Sequence, residues 1–141
     1  MDFRTCTIRH LVKQIKPDNN LYNSLINSSE KKMKSQKLLV LSEDTAGSKI
    51  SLAYDSMREL LEAVAISKGY KIYNHECYTA FLKEIMKESA FGDRFDKFRM
   101  IRNDINYYGK DISAEEAKPI INGMTDFTEL IKTKFLSSYS K

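Results

Sequence analysis

The sequence predicts an all-α protein, an up-and-down antiparallel bundle of about five to six helices. Three observations carry that prediction. Apolar residues recur at steps of three and four through most of the chain. Only five Gly and two Pro punctuate 141 residues, too few for the succession of turns an all-β fold needs. Hydrophobic residues make up 42% and charged residues 30%, which is globular composition and not disorder. A chain of this length is expected to form a single domain over 1–141, burying about 70% of its unfolded surface.

The elements follow in order. Phe3, Ile8, Leu11, Val12 and Ile15 place a short amphipathic helix within residues 1–16. It stops at Lys16-Pro17, because proline pushes the residue before it out of helical backbone. Asp18 then stands as an N-cap for a second helix carrying Leu21, Tyr22, Leu25, Ser28, Ser29, Met33, Gln36, Leu39 and Val40 to about Leu41. Its small polar middle, Asn27 to Glu30, fits either close packing on a neighbouring helix or a local irregularity. Ser42 to Gly47 reads as a turn.

Ile50, Ala53, Tyr54, Met57, Leu60, Leu61 and Val64 have the spacing of a bundle seam, with Arg58 and Glu62 able to pair one turn apart. Lys68-Gly69 ends this third helix, Gly69 taking a left-handed position. Tyr70 to Tyr73 is a connector. Asn74 caps a fourth helix, with His75 and Glu76 in its first turn and Tyr78, Phe81, Leu82 and Ile85 on its apolar face. Gly92-Asp93 separates it from a fifth helix, Arg94 to about Tyr108, that Gly109 ends. Ser113 and Glu116 form a capping box for the C-terminal helix, 113–138. Pro119 and Gly123 predict a kink or slack hydrogen bonding inside it.

The net charge of +4 is unevenly placed: residues 1–40 hold eight Lys/Arg against three acids, and the remainder fifteen against sixteen. Lys31, Lys32, Lys34 and Lys37 concentrate the excess, as a solvated helix face or as a nucleic-acid footprint. Cys6 and Cys77 lie far apart with no CxxC, so both thiols are expected to be reduced, small apolar residues of a cytoplasmic protein. Arg4, Arg9 and Lys13 interrupt every N-terminal apolar run, which speaks against a signal peptide. No stretch approaches the ~20 apolar residues of a membrane span.

Several chemistries find no support. The chain has no Gly-rich phosphate loop. Its two histidines, His10 and His75, stand 65 positions apart without ligand-spaced cysteines, so no metal and no cofactor is expected. The Glu-x-x-His pairs of two-metal bundles are also missing. What remains is the fifth helix. Taking the middle of its stripe Phe91, Phe95, Phe98, Ile101, Ile105 and Tyr108 as zero, Arg102 falls about 50° away. A guanidinium so close to an apolar stripe is half desolvated and needs a partner: a carboxylate, a helix end, another chain or a phosphate. Arg99, Arg102 and Asn106 share this flank, a set suited to bidentate phosphate contacts. Asp93, Asp96 and Asp104 on the same helix compete for that charge, and an internal ion pair bracing the bundle is the structural alternative.

The runs Ser51 to Ala63, Lys68 to Glu76, Phe81 to Glu84 and Arg102-Asn103-Asp104-Ile105-Asn106-Tyr107-Tyr108-Gly109 closely resemble the prokaryotic HEPN-domain proteins. The likeness extends over nearly the whole chain, including the Lys16-Pro17-Asp18 junction. It implies an α-helical bundle, usually a homodimer, with a late polar motif lining a cleft at or near the dimer interface. The family includes metal-independent ribonucleases of toxin–antitoxin and defence systems, some beside a nucleotidyltransferase-type antitoxin, and others that bind nucleotides. Its nuclease motif is Arg, a polar residue, an interval, then His. Arg102 and Asn103 match the start, but the histidine positions hold Tyr107, Tyr108 and Gly109.

That departure matters because proton transfer near neutral pH suits histidine, pKa ≈ 6.5, and not tyrosine, near 10. An unassisted Tyr107 stands about 4 kcal/mol from matched. Its ring is a more natural stacking platform for a base. The expectation is therefore an RNA- or nucleotide-binding protein using Arg99, Arg102, Asn103, Asn106, Tyr107 and His75. The alternatives are an endoribonuclease in which Arg102 stabilises the phosphorane and Tyr107 or His75 carries the proton, and a dimeric interaction subunit.

Overall fold

The computed structural model describes residues 1–136 and is mostly helical. Helix α1, Phe3–Ile8, is capped by Asp2, whose carboxylate accepts from the Thr5 amide at 2.7 Å. The expected helix to residue 16 is overturned here. His10 takes φ 59°, which breaks the helix, and Val12–Gln14 becomes strand β1. It pairs antiparallel with β2, Tyr70–Ile72, so the supposed connector is a strand too. Val12 faces Ile72 and both are buried, a β-branched pair suited to a pleated surface. Helical periodicity over so few residues is compatible with a strand, and the pairing partner lies far along the chain. Gly69 adopts φ 87° and accepts from the Ile15 amide at 2.8 Å; a Cβ there would sit 3.2 Å from the Ile15 carbonyl oxygen.

Helix α2, Asn19–Leu38, begins at the Asp18 cap as read. It ends sooner than expected, leaving Leu39 and Val40 exposed. Helix α3, Ala46–Ser67, runs back along it, since Ser29 meets Ser56, Lys32 meets Glu59 and Lys49 meets Gln36. The small polar middle of α2 is a close-packing surface: the Ser29 hydroxyl donates to the Ser56 carbonyl at 2.7 Å, and the Ser56 hydroxyl to the Ser29 carbonyl at 2.8 Å. Buried Lys49 donates to the carbonyls of Gln36 and Leu39 at 2.6 and 2.5 Å, satisfying orphan acceptors at the end of α2. From Ala53 to Ile66 almost every residue of α3 is buried, which makes it the central helix.

Helix α4, Glu76–Ala80, continues into a wider π turn, Phe81–Ile85. Helix α5, Ser89–Asn106, starts earlier than expected, so Gly92 is no break. Glycine serves close approach there: a Cβ would lie 2.6 Å from Lys83 Cγ and 3.2 Å from the Thr79 carbonyl oxygen. The helix also stops before Tyr108, which is 80% exposed and not part of the apolar stripe. Gly109 takes φ 64° just beyond, as a terminator should. Helix α6, Ala114–Ile131, carries the predicted capping box between Ser113 and Glu116, includes Pro119, and passes into a π turn, Lys132–Leu136. The end of the predicted 113–138 helix lies outside the described residues.

One apolar core joins all these elements. Cys6 and Cys77 form a disulfide with Cα atoms 6.1 Å apart, tying α1 to α4. This corrects the expectation of two reduced thiols. The β1–β2 ladder is what brings the two cysteines together, across 71 positions and with no local signal in the sequence. The cysteine content therefore gives no argument for a reducing compartment. Among the described residues no helix is long and apolar enough to cross a membrane.

Candidate functional site

Helix α5 is rotated by its phenylalanines. Phe95 is fully buried between Tyr54 and Tyr78, and Phe91 and Phe98 pack on Phe127 of α6. That rotation turns Arg99, Arg102 and Asn103 toward the start of α4. Helix α4 lies antiparallel beside them, held by Thr79 donating to Asp96 at 3.1 Å and by a Lys83–Asp93 ion pair at 2.7 Å. Asn74 accepts from the Glu76 amide at 2.9 Å, opening α4 with an Asx turn that fixes His75 at its head. The two segments enclose an open cleft of about 340 Å³ lined by Tyr73, Asn74, His75, Glu76, Arg99, Arg102, Asn103 and Tyr107.

The two arginines of the cleft differ. Arg99 is neutralised: its Nε and Nη2 donate to Asp96 Oδ1 at 3.0 and 2.9 Å, with Glu76 at 3.9 Å. Arg102 has no carboxylate within ion-pair distance among the described residues. Its guanidinium instead lies 5.2 Å from the ring centre of Tyr54 and 5.1 Å from that of Tyr107, and Nη1 donates to the Tyr107 hydroxyl at 2.8 Å. Its Nε is buried and has no hydrogen-bond partner among the described residues. The internal ion pair that would make Arg102 a structural brace is thus absent from the described residues. Such a cation over two aromatic faces is attracted by their quadrupoles, yet most of its hydrogen-bonding capacity stays unused.

Five of the six predicted residues come together: His75, Arg99, Arg102, Asn103 and Tyr107. Asn106 does not. It points to α3, where its side-chain oxygen accepts from the Ser51 hydroxyl at 3.1 Å. Tyr107, just past the end of α5, folds back over Arg102 and remains 66% exposed.

His75 is half-buried, with Nδ1 3.1 Å from the Tyr54 hydroxyl. Burial, followed by the guanidiniums of Arg58, Arg102 and Arg99, pushes its pKa down to about 4, so the ring is neutral at physiological pH. Burial also raises the Tyr54 and Tyr78 phenols well above the ordinary tyrosine range, against the pull of nearby arginines. Both hydroxyls keep their protons. Beneath them Arg58 donates to Glu62 at 2.9 Å and Lys71 to the other Glu62 oxygen at 2.5 Å. Burial opposes ionisation of Glu62, but those hydrogen bonds outweigh it and hold the carboxyl below its usual range.

Chemically, the cleft offers one uncompensated guanidinium, two amides, a neutral imidazole and two exposed tyrosine rings, Tyr73 and Tyr107. Among the described residues no group of three or more His, Cys, Asp or Glu is placed to hold a metal ion. Tyr54, Tyr73, Asn74 and Glu76 are the parts that sequence reasoning missed. They belong to a seam, a connector and a cap in one dimension, and the packing of α5 against both α3 and α4 brings them to Arg102. No protein-family model matches the chain, and no curated protein or solved structure shows significant similarity to it.

Proposed function

We propose that this protein is an RNA- or nucleotide-binding bundle of the HEPN type that holds a phosphate group on Arg102. The reading rests on one observation: a partly buried guanidinium with no carboxylate partner among the described residues, set at an open cleft between α4 and α5. An Arg fork can grip phosphate with two parallel N–H···O bonds. Asn103 contributes a positioning amide, and the exposed rings of Tyr73 and Tyr107 give flanking bases a surface to stack on. On this reading the protein acts as a homodimer, in a toxin–antitoxin or defence-type system with a nucleotidyltransferase-type antitoxin as partner.

A second reading, a metal-independent endoribonuclease, is favoured by His75, which lines the same cleft from the head of α4. Binding is the stronger reading because an imidazole with a pKa near 4 is a poor proton acceptor at pH 7. Two measurements test these. Arg102→Ala is expected to weaken binding of a labelled oligoribonucleotide at least about tenfold while leaving a folded protein, as befits loss of charged hydrogen bonds. Unchanged affinity would overturn the binding reading. Incubation of total RNA with the wild type in EDTA separates the second: cleavage that disappears in Arg102→Ala establishes the enzyme, and intact RNA rules it out.

A further inference from the structure

Resting on that reading, we infer that His75 is a second, proton-dependent cation of the cleft: it takes up a proton when an anion binds beside Arg102, so affinity rises as pH falls. Geometry carries the argument. His75 and Arg102 line one cleft from the head of α4 and from α5, and both sit against Tyr54, the imidazole on its hydroxyl and the guanidinium over its ring. The Tyr54 hydroxyl donates to a bare Nδ1 and accepts from a protonated one, so it satisfies either state of the ring.

The charges facing His75 are mostly positive. Arg58 lies on α3, and Arg99 and Arg102 on α5; all three disfavour the imidazolium. Glu62 on α3 acts in the opposite sense but is engaged by Arg58 and Lys71. Glu76, next in sequence, is shared with Arg99 and the N-terminal amine at 3.9 and 3.8 Å. Tyr78, whose ring centre is 6.4 Å away, stays neutral. Arg102, which has no carboxylate partner among the described residues, is therefore the neighbouring cation whose repulsion an incoming anion offsets most directly. An anion on Arg102 removes that repulsion and adds attraction of its own, in a site where charges interact well above their strength in bulk water. Binding and protonation are then linked: whatever raises the imidazole pKa on binding must tighten binding as pH falls.

Sulfate is the probe of choice because it does not titrate between pH 5 and 8, as phosphate does. The expected result is that wild-type protein binds sulfate roughly fivefold more tightly at pH 5 than at pH 8 by calorimetry. In parallel, the pKa of the His75 ring followed by NMR rises from about 4 in the free protein to about 5.7 at saturating sulfate, the shift that a fivefold tightening requires. His75→Gln is expected to lose the pH dependence. Sulfate bound through Arg102, as judged by loss in Arg102→Ala, with an unmoved His75 pKa overturns the inference and leaves the binding reading standing. A pH dependence retained in His75→Gln also overturns it. Absence of sulfate binding at every pH likewise overturns the inference, and the oligoribonucleotide measurement then decides the binding reading by itself.

Discussion

The α2–α3 seam and the α4–α5 cleft are built from the same residue types and treat charge in opposite ways. In the seam, cations are matched to acceptors: Lys32 to Glu59 and Lys49 to two carbonyls. Two serines interlock across the contact, so long helices pack closely along their length. At the cleft one wall is a five-residue helix followed by a π turn, and the central guanidinium meets rings rather than a carboxylate. A short helix cannot hold itself in place by its own hydrogen bonds. Its position is enforced by a covalent bond to α1 and by polar contacts to α5. The seam is thus the stable half and the cleft the half where charge is left for a ligand.

Breaking the Cys6–Cys77 bond should upset this arrangement most. The bond closes a loop of 71 positions, and a disulfide spanning a loop of that size stabilises a fold by about 2–4 kcal/mol. Denaturant unfolding with and without reductant, or of the Cys6→Ser/Cys77→Ser variant, is expected to show that loss. Amide exchange should accelerate in α1 and α4 first, with α2 and α3 still protected. Uniform loss of protection would mean that seam and cleft unfold as one unit.

The next largest effect is the acid sensitivity of the cleft. The His75 pKa lies near 4 in the fold, below the ordinary 6.5 of an unfolded chain. Between those values the unfolded state binds more protons, so stability is full above about pH 6.5 and declines as pH falls toward 4. The decline is expected to be on the order of 2 kcal/mol, after discounting for the partly solvated ring. His75→Gln should flatten this window when unfolding is followed against pH. An unchanged slope would place the acid sensitivity elsewhere.

What was legible in the sequence follows the same division. The seam could be read because Ile50 to Val64 and the Asp18 and Ser113 caps are local patterns, each interpretable within a turn or two. Arg102 could be read because a cation beside an apolar stripe is also a local anomaly. The contacts that complete the cleft are long-range. Cys6 and Cys77, Tyr54 and His75, and Val12 and Ile72 meet only after folding, and nothing at their own positions announces it. Gly92 misled for a related reason: glycine marks a break or a close approach with equal ease, and its neighbour Lys83 belongs to another element.

Lys32→Ala sharpens the contrast from the stable side. Glu59 is 5% exposed at its side chain and Lys32 is its only ion-pair partner among the described residues. Removing one member of such a pair leaves a carboxylate with poor compensation, and the loss should be about 1–2 kcal/mol because the lysine itself is partly solvated. Sulfate affinity should not change. A variant equally stable to the wild type would show that the Ser28 hydroxyl, which donates to the same carboxylate oxygen at 3.1 Å, suffices for Glu59.

The finest comparison lies within α5, between two arginines three positions apart. Arg99 and Arg102 both line the cleft, so charge counting alone predicts equal contributions to anion binding. Their partners predict otherwise. A ligand that engages Arg99 must compete with Asp96, which already accepts from two of its nitrogens, while Arg102 gives up one hydrogen bond to a neutral phenol. Arg99→Ala also takes a cation away from the Asp96 and Glu76 carboxylates, adding repulsion toward an anion, and some loss follows from that alone. The expected result is a two- to fourfold weaker sulfate affinity, about 0.4–0.8 kcal/mol, against at least about tenfold for Arg102→Ala. Raising the salt concentration should shrink the Arg99 effect more, because that part of it acts through partly exposed carboxylates at a distance. Equal losses in the two variants would mean that the Asp96 pairing opens on binding, and that the cleft presents two working cations in place of one.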